Sequence, residues 1–192
     1  MHQGFKRVCV RGHRWYNFRE LRGCPILSGL RSSIYSGTCA TDQGLITGKA
    51  YEVFRYRQHI NAEHIGIVAD VRVKHATPLM DRSLLVECQD LVNRAMVDGG
   101  LIFTGNTTGM PPGDEVLAGL PAIKANFPNI PLFIGSGVSI ENIDHLFKQT
   151  RNCIDGVIIG TALKVGGDVH NGVDENKARA FMKEWLDRTK QK

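Results

Sequence analysis

The chain has 192 residues, of which 42% are hydrophobic and 22% charged, and its net charge at neutral pH is +5. This length suffices for one domain with a sizeable core, but it is short for a (β/α)8 barrel, which typically has about 250 residues. No apolar run approaches the roughly 20 residues that span a bilayer, so the sequence predicts no membrane segment.

The basic excess is confined to the N-terminal part of the chain. Residues 1–35 carry a net charge of +6, whereas residues 36–192 carry −1. A nucleic-acid-binding face needs basic residues clustered on a folded element, so we expect no nucleic-acid partner. The five cysteines form no CxxC motif and no zinc-ligand spacing with histidine. We therefore expect reduced thiols, no metal site and an intracellular protein, cytoplasmic by default.

Residues 1–29 show neither helical nor alternating periodicity. An Arg-rich, acid-poor start is typical of an organelle transit peptide, but this one contains almost no serine. A solvated basic tail is the second interpretation. A divergent or truncated start, standing where a complete barrel has further units, is the third, and it is the one we favour.

From residue 30 onward the hydrophobic pattern becomes regular. Residues 30–35 predict a weak strand, 44–60 a helix and 65–71 a strand buried on both faces. A helix over 82–97 is predicted next, with Asp81 as its N-cap. The remaining predicted elements are strands at 100–104, 131–134 and 156–159, and helices at 115–127, 140–150 and 175–188. Strands that alternate with helices of this length indicate parallel βαβ units.

Two glycine turns directly follow predicted strands. They comprise Gly135, Ser136 and Gly137 after one strand, and Gly160 and Thr161 after the next. In many (β/α)8 barrels the loops after the last two strands hold a phosphate, because glycines let backbone N–H groups approach an anion. These five residues are the candidate phosphate site. The alternative is that the glycines only make tight strand-to-helix turns.

Charged residues at two other strand ends are the candidates for catalysis. Asp70 ends the predicted strand at 65–71, and Lys74 and His75 follow it. Together they could supply a metal ligand or acid, an electrophile or Schiff-base amine, and a general base. Asp42 follows the weak strand and would join the same edge. The alternative is that Asp70 and Asp42 cap turns and that Lys74 and His75 lie on a solvated loop.

The loop after the strand at 100–104 is built from turn residues. Thr104, Gly105, Asn106 and Thr108 could hydrogen-bond a substrate there, or simply stabilise the turns. No cofactor is indicated by the sequence.

Several of these motifs occur together in one order. They are TDQG at 41–44, ADVRVKHA at 69–76, the Thr-Gly pairs at 104–105 and 108–109, GSGV at 135–138 and Gly-Thr at 160–161. In this combination the chain closely resembles the BtpA/SgcQ family, a branch of the ribulose-phosphate-binding barrel group. The resemblance extends from about residue 30 to the C-terminus.

The resemblance implies an α/β fold of the TIM-barrel type. The strand at 30–35 would be barrel strand 4, and the four clear strands would be strands 5 to 8. Family members place three further βα units before this point, so we expect a partial barrel over residues 30–192 and a divergent segment over 1–29. An open parallel sheet exposes its edges, which favours a homo-oligomer.

The resemblance also implies a function related to photosystem I assembly or stability, with an uncertain molecular activity. A second hypothesis is an enzyme that acts on a small phosphorylated, sugar-like substrate, whose phosphate would lie on the two glycine turns. Fold analogy alone supports that substrate class. A third hypothesis is a truncated, non-catalytic relative.

Overall fold

Short strands alternate with helices in the computed structural model, which describes residues 7–10, 37–64 and 66–189. The strands are β1 (Arg7–Val10), β2 (Thr38–Thr41), β3 (Gly44–Thr47), β4 (Val68–Asp70), β5 (Ala76–Pro78), β6 (Gly100–Thr104), β7 (Leu132–Gly135) and β8 (Gly156–Ile159). The helices are α1 (Ala50–His59), α2 (Leu84–Asn93), α3 (Asp114–Asn126), α4 (Ile143–Gln149) and α5 (Glu175–Thr189). Two short 3-10 turns, Thr161–Leu163 and Val165–Gly167, lie between β8 and α5.

The main sheet has the strand order β1-β8-β7-β6-β4, and each neighbouring pair is parallel. The sheet is wound in one direction, because β4, β6, β7 and β8 follow one another both in the chain and across the sheet. Helix α2 packs against α3, and α3 packs against α4. In a doubly wound sheet the strand order would reverse and helices would cover both faces. The fold is therefore α/β, with the parallel arrangement of a partial (β/α) barrel.

Alternation along the strands separates the core from the opposite face of the sheet. Leu101 and Phe103 of β6 are buried in the hydrophobic core, together with the corresponding residues of β7 and β8. Ile102 and Thr104 of β6 are only half-buried. Because successive strand side chains point to opposite faces, the face away from the core carries the polar strand ends.

Strand β1 lies in the part of the chain that the sequence analysis assigned to a divergent segment. It pairs with β8 in parallel register, with Val8 opposite Val157. In a closed (β/α)8 barrel the place beside the last strand belongs to the first strand. The strand predicted at residues 30–35 lies outside the described residues.

The predicted helix over residues 44–60 is wrong at its start. Residues Gly44–Thr47 form β3, which pairs antiparallel with β2, and β5 pairs antiparallel with the other edge of β2. The hairpin forms because Thr41 Oγ1 donates to Gly44 O and accepts from the Gln43 N–H. Gly44 has a φ of 115°, which favours glycine. The helix itself begins at Ala50.

Two helix ends differ from their predicted positions for local reasons. The N-cap of α2 is Ser83 rather than Asp81, since Ser83 Oγ accepts a hydrogen bond from the Val86 N–H. Helix α3 keeps Pro121 in its interior and ends at Asn126.

Within the described part of the chain, no helix is both long and apolar enough to cross a membrane. A homo-oligomer formed through sheet edges stays a prediction.

An aromatic cluster joins α5 to α4. Trp185 is fully buried, and its ring centroid lies 5.2 Å from that of Phe147 and 6.5 Å from that of Phe181. Trp185 is therefore part of the hydrophobic core.

We expect Trp185→Ala to lower the free energy of unfolding by about 3–5 kcal/mol, because it leaves a large cavity in the core. Leu186→Ala, at a position 38% exposed on the same helix, should cost less than about 1 kcal/mol. Urea unfolding followed by circular dichroism measures both changes. Equal losses would contradict the proposed dependence of the core on Trp185.

Candidate functional site

The loops that carry the candidate residues meet at one edge of the main sheet. Because β4, β6, β7 and β8 are parallel, their carboxyl ends and the loops that follow them lie on the same side. The registers place Asp70 beside Ile102, and Thr104 beside Gly135. Both Asp70 and Thr104 are half-buried.

The loop after β4 reaches the turn after β7 through Lys74. The Lys74 Nζ atom lies 2.7 Å from Ser136 Oγ, although the two residues are 62 positions apart in the chain. The Gly109 N–H, from the loop after β6, donates to the same Ser136 oxygen at 3.3 Å. Three loops therefore converge on one hydroxyl group.

His75 is held by the loop after β6. Its φ is 56°, and its backbone N–H donates to Asn106 O at 3.0 Å. The His75 Nε2 atom lies 3.2 Å from Thr108 Oγ1. The His75 side chain is exposed, so it is accessible from solvent.

The turn after β7 needs glycine for packing as well as for conformation. Gly137 has a φ of 61°, and a Cβ atom there would overlap the backbone nitrogen of Pro111. A Cβ atom on Gly105 would overlap the carbonyl groups of Met110 and Pro111. The loop after β6 thus lies directly on Gly105 and Gly137, and packing alone accounts for glycine at both positions.

Asn142 stabilises the same turn, and the sequence analysis did not identify it. Its Nδ2 atom donates to Gly137 O at 2.6 Å, and its Oδ1 atom accepts from the Ser139 N–H at 2.9 Å. In the sequence Asn142 lies inside the helix predicted over residues 140–150, whereas in the structure it is the residue before α4. These two hydrogen bonds therefore fix the backbone of residues 137–139, which directly follow Ser136.

The turn after β8 is more open. A Cβ atom on Gly160 would meet nothing within 4 Å, and Thr161 is exposed at the start of a 3-10 turn. The Ser136 N–H donates to Ile158 O at 3.2 Å, which ties the β7 turn to the end of β8. The open space beside Gly160 thus follows directly on the strand that the β7 turn contacts.

Asp42 lies at the exposed tip of the β2–β3 hairpin. It accepts a hydrogen bond from Gln43 Nε2 at 3.0 Å. This geometry suits the turn interpretation of Asp42. Its membership of the site stays a prediction.

An ion pair that the sequence analysis missed anchors the loop after β4. Arg72 Nε lies 3.0 Å from Glu87 Oε2, and Glu87 is 7% exposed in α2. Arg72 Nη2 also donates to Arg82 O at 3.3 Å.

Burial, reinforced by the neighbouring Glu87 charge and opposed by Arg72, raises the pKa of the Cys88 thiol to about 12. Cys88 is therefore an unreactive core residue rather than a nucleophile.

Groups of several kinds lie at this edge. They are the Lys74 amino group, the Asp70 carboxylate, the His75 imidazole, glycine-rich backbone and the hydroxyl groups of Thr104, Thr108, Ser136 and Thr161. Among the described residues, no group of three or more His, Cys, Asp or Glu side chains could hold a metal ion. Lysine, hydroxyl and backbone N–H donors are the groups that bind phosphate and carboxylate oxygens.

Residues 27–186 match the model of the BtpA family. The chain is 36% identical over 173 residues to the photosystem I biogenesis protein BtpA of Synechocystis sp., which covers 90% of this chain and 57% of that protein. It is 34% identical over 153 residues to an uncharacterized protein of Thermococcus kodakarensis, which covers 80% of this chain and 54% of that protein. The chain thus spans about half the length of the curated relatives it matches.

Among solved structures, the chain is similar to N-(5'-phosphoribosyl)anthranilate isomerase from Pyrococcus furiosus. The TM-score is 0.46 and the sequence identity is 11%, over 72% of this chain and 57% of that chain.

A matched pair of glycine substitutions tests how the loop after β6 packs. Gly137→Ala should destabilise the protein by about 2 kcal/mol or more, because its Cβ overlaps Pro111 at a positive φ. Gly113→Ser should be neutral or stabilising: Gly113 is the extended N-cap of α3, and a Cβ there meets nothing within 4 Å. Thermal and urea unfolding compare the two variants. A Gly137→Ala protein as stable as the wild type would contradict this packing.

Proposed function

The chain belongs to the BtpA family, and we propose that this member binds and acts on a small phosphorylated, sugar-like ligand at the carboxyl edge of its parallel sheet. The contact between Lys74 Nζ and Ser136 Oγ carries the proposal. It brings an ammonium group to a glycine turn at the end of one strand, beside the open turn at Gly160. Such a combination suits an anion that spans two neighbouring strand ends.

Local charge supports this choice of ligand class. Residues 36–192 are nearly neutral as a whole, with a net charge of −1. Attraction for a phosphate would therefore come from Lys74 and from oriented backbone N–H groups rather than from a broadly basic surface. A site of this kind selects small anions over nucleic acids, which need an extended basic face.

The remaining polar residues of the edge would act on the ligand's carbon skeleton. Asp70 and His75 flank the Lys74 loop, and a carboxylate and an imidazole can move protons at neutral pH. Thr104 and Thr108 would hydrogen-bond ligand hydroxyl groups. Gly105 packs directly against the backbone of Met110 and Pro111. Its role would therefore be to shape the loop rather than to contact the ligand.

A charge placed beside Gly160 tests the phosphate site. Thr161→Glu adds a carboxylate at an exposed position, where the backbone carbonyl of residue 161 accepts a hydrogen bond from the Lys164 N–H. We expect sugar phosphates to raise the melting temperature of the wild-type protein, and Thr161→Glu to weaken their binding at least tenfold by repulsion. Thermal shift and calorimetry with inorganic phosphate, ribose 5-phosphate and ribulose 5-phosphate measure this.

The matched control is Ala125→Glu. Ala125 is exposed near the end of α3, at the opposite edge of the sheet. The substitution therefore adds the same negative charge far from the proposed phosphate site. Equal affinity for all three proteins would place the anion elsewhere. A protein that melts cooperatively but responds to none of the phosphates would favour the hypothesis of a non-catalytic relative.

A role in photosystem I biogenesis is the second candidate, and the 36% identity to the Synechocystis protein supports it. We expect expression of this chain in a Synechocystis strain that lacks BtpA to restore photosystem I content. Low-temperature chlorophyll fluorescence measures that content. Restoration by both wild type and Thr161→Glu would separate this role from phosphate binding, and no restoration would favour the enzyme.

Free thiols support an intracellular, cytoplasmic location. Cys39 and Cys88 are both buried and form no disulfide. Cell fractionation tests this location.

A further inference from the structure

We infer that Ser136 is a nucleophile that Lys74 activates, and that the site cleaves a carboxylic ester or lactone in its ligand. The inference rests on the proposed function only for the phosphate group of that ligand. Its own basis is the geometry of Ser136 and Lys74.

The distance between the two side chains is that of a nucleophile and its base. Lys74 Nζ lies 2.7 Å from Ser136 Oγ, within the roughly 2.6–3.2 Å expected of such a pair. A lysine amine serves as the base for serine in Ser–Lys variants of the catalytic triad. The Gly109 N–H also donates to Ser136 Oγ, so the hydroxyl oxygen is held from two sides.

The backbone at Ser136 supports the same conclusion. Ser136 has a φ of 74°, an uncommon conformation for a residue with a side chain. It lies between Gly135 and Gly137 in the sharp turn that follows β7. Serine nucleophiles of α/β-hydrolases occupy a similar strained strand-to-helix turn, in which the hydroxyl projects at the carboxyl end of a parallel strand. Here the glycines flank the serine directly, without the extra residue on each side.

Ser139, three residues later, has a different environment. Its hydroxyl hydrogen-bonds the Glu141 carboxylate, and this bond is the main cause that lowers the pKa of Glu141. The Ser139 hydroxyl thus faces a carboxylate, whereas the Ser136 hydroxyl faces the Lys74 amino group. Of these two serines, only Ser136 contacts a lysine.

The reaction balances with the groups present and water. Lys74, in its amine form, takes the Ser136 hydroxyl proton while Oγ attacks the ester carbonyl carbon. The tetrahedral intermediate collapses, the carbon–oxygen bond of the ester breaks, and the leaving alcohol takes the proton from Lys74. Water then attacks the acyl-serine, with Lys74 accepting its proton and returning it to Ser136. The products are an alcohol and a carboxylic acid, joined in one molecule when the substrate is a lactone.

Covalent labelling tests the inference without a known substrate. A fluorophosphonate forms an Oγ–P bond with loss of fluoride, and p-nitrophenyl acetate forms an acetyl-serine with loss of p-nitrophenolate. We expect peptide mass spectrometry to find both labels on Ser136. Ser136→Ala should remove them, and Ser139→Ala, three residues away, should label at the wild-type rate.

Lys74→Arg separates the base from the charge. Arginine keeps the positive charge but cannot accept a proton at neutral pH. We expect labelling of Ser136 to slow at least a hundredfold in Lys74→Arg, in line with the contribution of about 10²–10⁴ expected of a general base. Circular dichroism confirms that the variant is folded.

Two results would overturn the dyad: no label on Ser136 with either probe, or wild-type labelling rates in folded Lys74→Arg. Failure of the phosphate proposal looks different. In that case Thr161→Glu and wild type would bind phosphates equally, while Ser136 would still label in a Lys74-dependent manner.

Discussion

Parallel pairing of β4, β6, β7 and β8 is the constraint on which the site depends. Each strand contributes only three to five residues to the sheet, yet the shared direction brings all four following loops to one edge. A reversal of any one strand would carry its loop to the opposite edge and dismantle the site. The core side of the same strands supplies the stability, since their alternate residues are buried under the helices.

Within that edge, the loop after β6 determines the shape. It lies on Gly105 and Gly137 so closely that neither position has room for a side chain. The same loop supplies the Gly109 N–H to Ser136 and the Asn106 carbonyl to the His75 backbone. Packing of this loop is thus the first reason why positions 105 and 137 need glycine. Any gain in anion binding follows from the path that this packing imposes on the backbone.

The sequence predicted strand bounds best where glycines enclose a short apolar run. Strands β6 and β8 were predicted with their observed bounds, because such a run between two glycines leaves few alternatives. The β2–β3 hairpin was missed, since Leu45 and Ile46 suit a helix as well as an exposed strand. For the site, the positions of Lys74 and Ser136 after predicted parallel strands were enough to predict that both lie at one edge of the sheet. Their contact depends on loop paths that no local pattern encodes.

Lys74 would serve two purposes that require opposite protonation states. Binding of a phosphate favours the ammonium form, whereas activation of Ser136 needs the amine. The structure separates the two demands in space: Lys74 contacts the hydroxyl at the end of β7, and the open turn at Gly160 lies one strand farther along the sheet. The Lys74 ammonium group would first attract the phosphate, and binding by the backbone of the β8 turn would then orient the ligand while Lys74 acts as the amine. This division of labour is possible only because β7 and β8 are neighbours in the sheet.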